Sequence, residues 1–340
     1  MQSMGLLDLQ VNGFAGIDFN AADLDADALE VALAAMLGTG VTTCLPTIIT
    51  ASAEDLARRL AALDRAVAGS RLGPIMVPGY HLEGPFLNPA DGYAGCHPPQ
   101  VMTEPDADLV FRLEADLSRP ILLVTLAPEM PGSEAVIQTL SSAGKIVAVG
   151  HSSADTNMVS RAVEAGAEMS THLGNGVPQT LPKLDNTIFA QLAEERLHAS
   201  FIADGIHLPR PALKAMLRAK GIERSILVTD AVSAAAARPG RYSFAGMAIE
   251  HGTDGSVRLP GSRYLAGSSL TLDKAIGNIV RWGLGSPEEA IQMACDNPRS
   301  LLARALRAHG LPIPAVGHVS WSADWEVLRV EHGDIVHRRK

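Results

Sequence analysis

The chain has 340 residues, 47% hydrophobic and 19% charged, a globular composition long enough for one large α/β barrel with an appendage or for two ordinary domains. A formal net charge of -9, from 28 Lys and Arg against 37 Asp and Glu, and the lack of any basic run interleaved with aromatics exclude a general nucleic-acid binder. Cys44, Cys96 and Cys295 are too few and scattered for a disulfide framework. The start carries no signal-peptide pattern, and no apolar run reaches the roughly 20 residues of a bilayer span, so a soluble, cytoplasmic protein is expected.

Eight short apolar segments, rich in β-branched residues or closed by turn residues, read as strands in chain order. They are Leu6–Asn12, Val41–Ile49, Pro74–Glu83, Ile121–Pro128, Ile146–His151, Glu168–Asn175, His198–Asp204 and Ser225–Asp230. Helical periodicity fills the intervals at Ala26–Thr39, Ala53–Ala68, Asp106–Leu117, Ser133–Ala143, Ala154–Ala165 and Arg210–Lys220. Ser52, Ser133 and Ser153 read as N-caps, and Gly40, Gly69, Gly144, Gly166 and Gly221 as helix stops. Three more helices, Leu270–Trp282, Ser286–Cys295 and Ser300–His309, follow the eighth strand; after them the tail reads as a few antiparallel strands. The pattern predicts a (β/α)8 barrel over residues 5–313 and a small, reduced β-sheet over 314–340, formed mainly by the C-terminal strands. A doubly wound fold is disfavoured, because Gly13-Phe-Ala-Gly16 lacks the G-x-G-x-x-G spacing.

Four strand candidates end on, or carry near their ends, residues able to bind a metal or move a proton: Glu83, His151, His172 and Asp230. Singly, each reads more simply as a hydrogen-bonding residue or a cap. In a parallel barrel, however, strand C-termini share one mouth, so the four would converge. Imidazole and carboxylate suit Zn²⁺ or another divalent first-row metal, and three such ligands leave a place for water. Asp230 would move the proton. His81 lies on the same strand face as Glu83, while His198 and His318 read as structural.

At this point the chain resembles a known family. The words Asp8-Leu-Gln-Val-Asn-Gly13, His81-Leu-Glu-Gly-Pro-Phe86, Gly150-His-Ser152, Thr171-His-Leu173, Ala203-Asp-Gly-Ile-His207, Val228-Thr-Asp-Ala231 and Leu265-Ala-Gly-Ser268 are similar to those of the N-acetylglucosamine-6-phosphate deacetylases of the amidohydrolase superfamily. The resemblance runs from about Gly5 to the tail. It implies metal ligation by Glu83, His151 and His172, acid/base catalysis by Asp230, and contact of His207 with the sugar and its amide carbonyl. It also implies substrate contacts at Asn175 and Gly176, at Leu265, Ala266 and Gly267, and in a covering loop at Cys96 and His97.

The reaction so implied is hydrolysis of an N-acetyl amino sugar phosphate to amine and acetate, with one divalent ion per subunit: zinc, or else iron, cobalt, manganese or nickel. Gln10 and Asn12 stand where many superfamily members carry His-x-His for a second metal; neutral amides are poor ligands, so one metal is expected. Lys183 falls where the family has an arginine for the sugar phosphate, which leaves open an unphosphorylated or epimeric N-acyl sugar, or a non-catalytic sugar-binding barrel. Homodimers and a small-molecule substrate, with no nucleic acid or membrane partner, complete the expectation.

Overall fold

The computed structural model describes residues 1–262 and 264–338. Eight strands lie side by side in one parallel sheet in chain order: Leu6–Val11, Val41–Ile49, Tyr80–Glu83, Ile121–Leu126, Ile146–Val149, Ala167–Ser170, His198–Phe201 and Ser225–Leu227. The chain just beyond the last returns to the first through a parallel bridge between Val11 and Ala231. Below that bridge, Thr229 Oγ1 donates to Asp8 Oδ2 at 2.6 Å. The sheet is therefore rolled into a (β/α)8 barrel. All residues of Leu6–Val11, Val41–Ile49 and Ile121–Leu126 are buried, because helices cover the outer face while side chains fill the inside.

The helices are set by their caps. Asp25 accepts from Ala28 N and Ser52 from Asp55 N, and Ser286 forms a full capping box with Glu289. Two expected caps are corrected. The helix Thr156–Ala165 is capped by Asp155, whose carboxylate accepts from Met158 N at 2.8 Å, while Ser153 is tied to Glu129 instead. The helix Ser133–Ser142 begins at Ser133 itself, after a left-handed Gly132.

Other differences have local causes. The third strand is shorter than Pro74–Glu83: Pro74 enters a helical turn, Gly73–Met76, and the strand starts only at Tyr80. The sixth strand stops at Ser170 because the chain turns left-handed at His172 (φ 30°). A helix absent from the sequence reading, Thr187–Ala193, follows it, capped by Asn186 Oδ1 on Ile188 N and Phe189 N.

A second unforeseen feature lies after the eighth strand, an antiparallel sheet of Gly240–Phe244, Met247–His251 and Val257–Arg258. Its first hairpin turns on Ala245 and Gly246 with φ of 51° and 83°, the paired positive values of a tight two-residue loop. Asp18 accepts from Ala245 N at 2.7 Å and anchors that turn to the barrel.

The small sheet beside the barrel takes His318–Trp321, Val327–His332 and Ile335–Arg338 from the tail. Gln2–Met4 from the start of the chain pairs antiparallel with His318–Trp321. Among the described residues no helix is long and apolar enough to cross a membrane.

Candidate metal centre and active site

The site forms where the barrel strands end. Glu83 is the last residue of its strand, whereas His151, His172 and Asp230 sit two or three residues beyond theirs. All three are left-handed, with φ of 52°, 30° and 49°. Only seven non-glycine residues among those described share that conformation, and each such position costs about 1–3 kcal/mol. The turns redirect the three side chains from the strand direction towards one point. Glycine is required nearby: a Cβ on Gly176 (φ 60°) would sit 2.7 Å from His151 Nδ1.

Glu83, 2% exposed, is the centre of the cluster. His172 Nε2 lies 2.9 Å and His151 Nε2 3.5 Å from Glu83 Oε1, and His97 Nε2 lies 3.8 Å from Oε2. The His97 and His151 rings are 4.5 Å apart and those of His151 and His172 5.0 Å. Donor atoms of Glu83, His97 and His151 all fall within 4.8 Å of one another. His97 thus joins the ligand-type cluster, a position that the sequence marks only as part of a covering loop.

Hydrogen bonds behind the rings fix which nitrogen faces inward. His151 Nδ1 donates to the Tyr93 carbonyl at 2.6 Å, which turns Nε2 towards Glu83. Thr50 Oγ1 donates to the Glu83 carbonyl and so accepts from His97 Nδ1 at 2.8 Å, with the same result for His97. Burial, reinforced by the His151 charge, drops His97 to a pKa of about 3, so its ring is neutral. Burial raises the Glu83 carboxyl, but hydrogen bonds from His151 and His172 outweigh it and hold Glu83 well below the usual carboxylate range. A buried carboxylate ringed by imidazole nitrogens is a donor set that fits a divalent cation.

His81 has another job. Its Nδ1 meets Thr47 Oγ1 at 3.2 Å and its Nε2 meets Thr125 Oγ1 at 2.8 Å, so both nitrogens are used inside the barrel.

Gln10 and Asn12 wire the two carboxylates together. Gln10 Nε2 donates to Glu83 Oε1 (3.1 Å) and to Asp230 Oδ1 (3.2 Å), and Asn12 Nδ2 donates to Asp230 Oδ1 (2.7 Å). Burial, then the charge of Glu83, push Asp230 up to about 6. His207 Nδ1 meets Asp204 Oδ2 at 2.6 Å, and Asp204 Oδ1 accepts from His207 N, so the ring is held from behind by a residue the sequence reading passed over. The spacing Asp-x-x-His was the available signal.

These residues line a cavity of about 640 Å³. Asn12, Glu83, Cys96, His97, His151, His172, Asn175, Gly176, His207, Asp230, Leu265 and Gly267 all face it. Ala266 is buried beside it, and Lys183 is exposed and not among its lining residues. A larger cavity of about 690 Å³ between barrel and small sheet is lined by Asp204 but by none of the metal-type cluster. The chemistry therefore belongs to the smaller one.

Below the site Asp8 is fully buried and accepts from Thr229 Oγ1, Thr229 N and Gln10 N. Burial pushes its carboxyl from the ordinary 3.8 up to about 7, against the pull of the Thr229 hydrogen bonds. Between those values the native state holds a proton that the unfolded chain has released, so stability falls as pH rises through the window. Denaturation midpoints of metal-free protein should fall from about pH 5 to about pH 8, with a shallower slope for Asp8→Asn. An equal slope in the variant would contradict this assignment.

No family model matches the chain. Individual relatives do. It is 31% identical to the N-acetylglucosamine-6-phosphate deacetylase of Lysinibacillus sphaericus over 86% of this chain and 74% of that protein. It is 34% identical to the N-acetylgalactosamine-6-phosphate deacetylase of Escherichia coli O157:H7 over 87% of this chain and 76% of that protein. A solved Mycobacterium smegmatis N-acetyl-D-glucosamine-6-phosphate deacetylase, in complex with N-acetyl-D-glucosamine-6-phosphate, superposes with a TM-score of 0.85 at 30% identity, covering 97% of this chain and 85% of that one. With the barrel, the strand-end cluster and these likenesses together, the chain belongs to the N-acetylglucosamine-6-phosphate deacetylase family.

Proposed function

We propose that the chain hydrolyses the acetamide of a 6-phosphorylated 2-acetamido sugar, N-acetylglucosamine 6-phosphate first, to the free amine and acetate. The observation that carries this is the gathering of buried Glu83, His97, His151 and His172 with half-buried Asp230 around one cavity. One divalent ion, zinc by its fit to imidazole and carboxylate, would be held by Glu83, His151 and His172, with His97 within reach as a further donor. When bound, such an ion polarises a carbonyl and makes water more acidic.

The chain's own residues do the rest. Asp230 takes a proton from the attacking water and returns it to the leaving nitrogen; a pKa near 6 matches that two-way task at neutral pH. Asn12 and Gln10 hold the carboxylate in place by donating to Oδ1. His207, braced at Nδ1 by Asp204, lines the cavity and contacts the sugar at its acetyl oxygen. The Asn175–Gly176 turn, held by Asn175 N and Nδ2 on the His172 carbonyl, seats the sugar against the cluster.

The M. smegmatis structure holds the glucosamine-type phosphate, while the E. coli relative is named for the galacto epimer. Both phosphorylated sugars and their unphosphorylated counterparts therefore form the test panel. Purified protein supplied with Zn²⁺ should release acetate from at least one 6-phosphate. Intact sugars across the whole panel, with zinc, iron, cobalt, manganese and nickel each tried, would sink the reading.

A further inference from the structure

Two cavities adjoin outside the metal cluster, and their linings differ in charge. The larger, about 690 Å³, is lined by Asp204, Asp254, Asp273 and Asp324, with Trp325 in its wall. Beside it a cavity of about 430 Å³ is lined by Arg238, His251 and Lys274 and, among the described residues, by no carboxylate. Gly255, Ser269 and Lys274 belong to both linings, and Ser269 Oγ donates to the Gly255 carbonyl at 2.8 Å. The two are chambers of one site, each of a size that suits a small organic ligand. We propose that this site binds a phosphorylated amino sugar, its ammonium in the acidic chamber and its phosphate in the basic one, and that occupancy slows the catalytic centre. This rests on the deacetylase reading above, whose product carries both charges. The acetylated substrate carries only the phosphate.

The fold keeps the two charges apart. The turn after Met247–His251 divides the chambers: Thr253 lines the basic one, Asp254 the acidic one, and Gly255 both. Gly252 N donates to the Ser256 carbonyl at 2.8 Å and Gly255 N to the Gly252 carbonyl at 3.1 Å, which closes that turn. The helix Leu272–Arg281 supplies further charges. Successive helix residues diverge by about 100°, so Asp273 meets only the acidic chamber while Lys274 reaches both. Arg281 lies two helical turns further along and lines only the acidic chamber, where half-buried Trp325 adds aromatic surface for a sugar ring. Arg238 and Lys274 make no ion pair among the described residues, and His251 Nδ1 is sealed from solvent without a hydrogen-bond partner. Two unpaired cations beside a buried orphan nitrogen suit an anionic group.

The acidic chamber reaches the reacting centre through Asp204. Its carboxylate braces His207: Oδ2 meets Nδ1 at 2.6 Å, and Oδ1 accepts from the Ile206 and His207 N–H groups at 2.8 Å each. Ile206 lines both this chamber and the active-site cavity. An ammonium drawn to Asp204 competes with His207 for the carboxylate and loosens the ring that meets the sugar. The basic chamber has its own link, for Ser269 follows Ser268, whose N–H donates to the Asp230 carbonyl at 2.9 Å.

The test titrates glucosamine 6-phosphate into zinc-loaded wild type, Arg238→Ala and Asp273→Asn, by calorimetry and as an inhibitor of acetate release. In wild type it should lower kcat as well as raise KM, because it binds beside Asp204 as well as in the active-site cavity. In both variants the effect on kcat should vanish and the effect on KM remain, with uninhibited kcat unchanged. Calorimetry should show two sites per chain in wild type, the second weakened about 10- to 100-fold in Arg238→Ala, the loss of a charge-assisted contact. Glucosamine and inorganic phosphate, each with one of the two charges, should lower kcat far less.

Purely competitive inhibition of wild type, or a kcat effect that survives in either variant, would overturn the proposal. If no sugar is turned over, the deacetylase reading has failed and calorimetry decides alone. Binding weakened in Arg238→Ala then supports the two-chamber site, and unchanged or absent binding refutes it.

Discussion

Asp230→Asn should lower kcat for acetate release by about 10³- to 10⁴-fold, the range lost with a general acid/base, or about 4–5.5 kcal/mol of barrier. KM should change little, because the carboxylate touches the reacting centre rather than the rest of the sugar. The fold should survive. An asparagine oxygen can still accept from Asn12 Nδ2 and Gln10 Nε2, and the substitution removes one of two buried carboxylates that oppose each other's ionisation. The thermal midpoint should therefore hold or rise, and bound metal should remain. In the wild type, kcat/KM should climb as pH rises through about 6, where Asp230 gives up its proton, and the variant should lose that limb. An active Asp230→Asn would remove the proton-transfer role from this residue.

Glu83→Gln should be as damaging for a different reason. The neutral amide is a far poorer metal ligand than the carboxylate, and it faces three imidazoles that were oriented around a negative charge. Metal content should drop below about a tenth of the wild-type level and turnover by at least about 10³-fold. Elemental analysis after desalting, beside a circular dichroism spectrum, separates loss of the ion from loss of the fold. A fully loaded Glu83→Gln protein would show that the ion sits elsewhere.

Much of this site was readable in the chain because barrel chemistry is written where apolar strands stop. Glu83 closes Tyr80–Glu83, and His151, His172 and Asp230 follow Val149, Ser170 and Leu227 within two or three residues, so a run of buried residues ending on a polar one pointed to the mouth. What the run could not show was the left-handed turn at His151, His172 and Asp230, which cuts the strands short and swings the rings together. His97 was harder, since it follows no periodic segment, and Asp204, though it ends the expected strand His198–Asp204, acts only through its contact with His207. Their roles depend on a loop folding back to Thr50 and on a local Asp-x-x-His contact.

The sheet of residues 240–258 left almost no pattern, for its strands are mostly exposed or half-buried and only Phe244, Ile249 and Val257 are buried apolar members. Period-two alternation needs a wet face and a dry face, and here the dry one is three residues wide. In the tail, by contrast, Val319, Trp321, Val327 and Val330 are buried and the strands were legible; the pairing partner Gln2–Met4, exposed at both ends, was not.

The central claim, one divalent ion serving amide hydrolysis at this cluster, is tested most directly by titrating metal-free protein with Zn²⁺ while acetate release from N-acetylglucosamine 6-phosphate is followed. Activity should rise in proportion to added metal and level off at one equivalent per chain, with no rise in Glu83→Gln. Full activity in the chelated protein, or a plateau reached only at two equivalents, would contradict it.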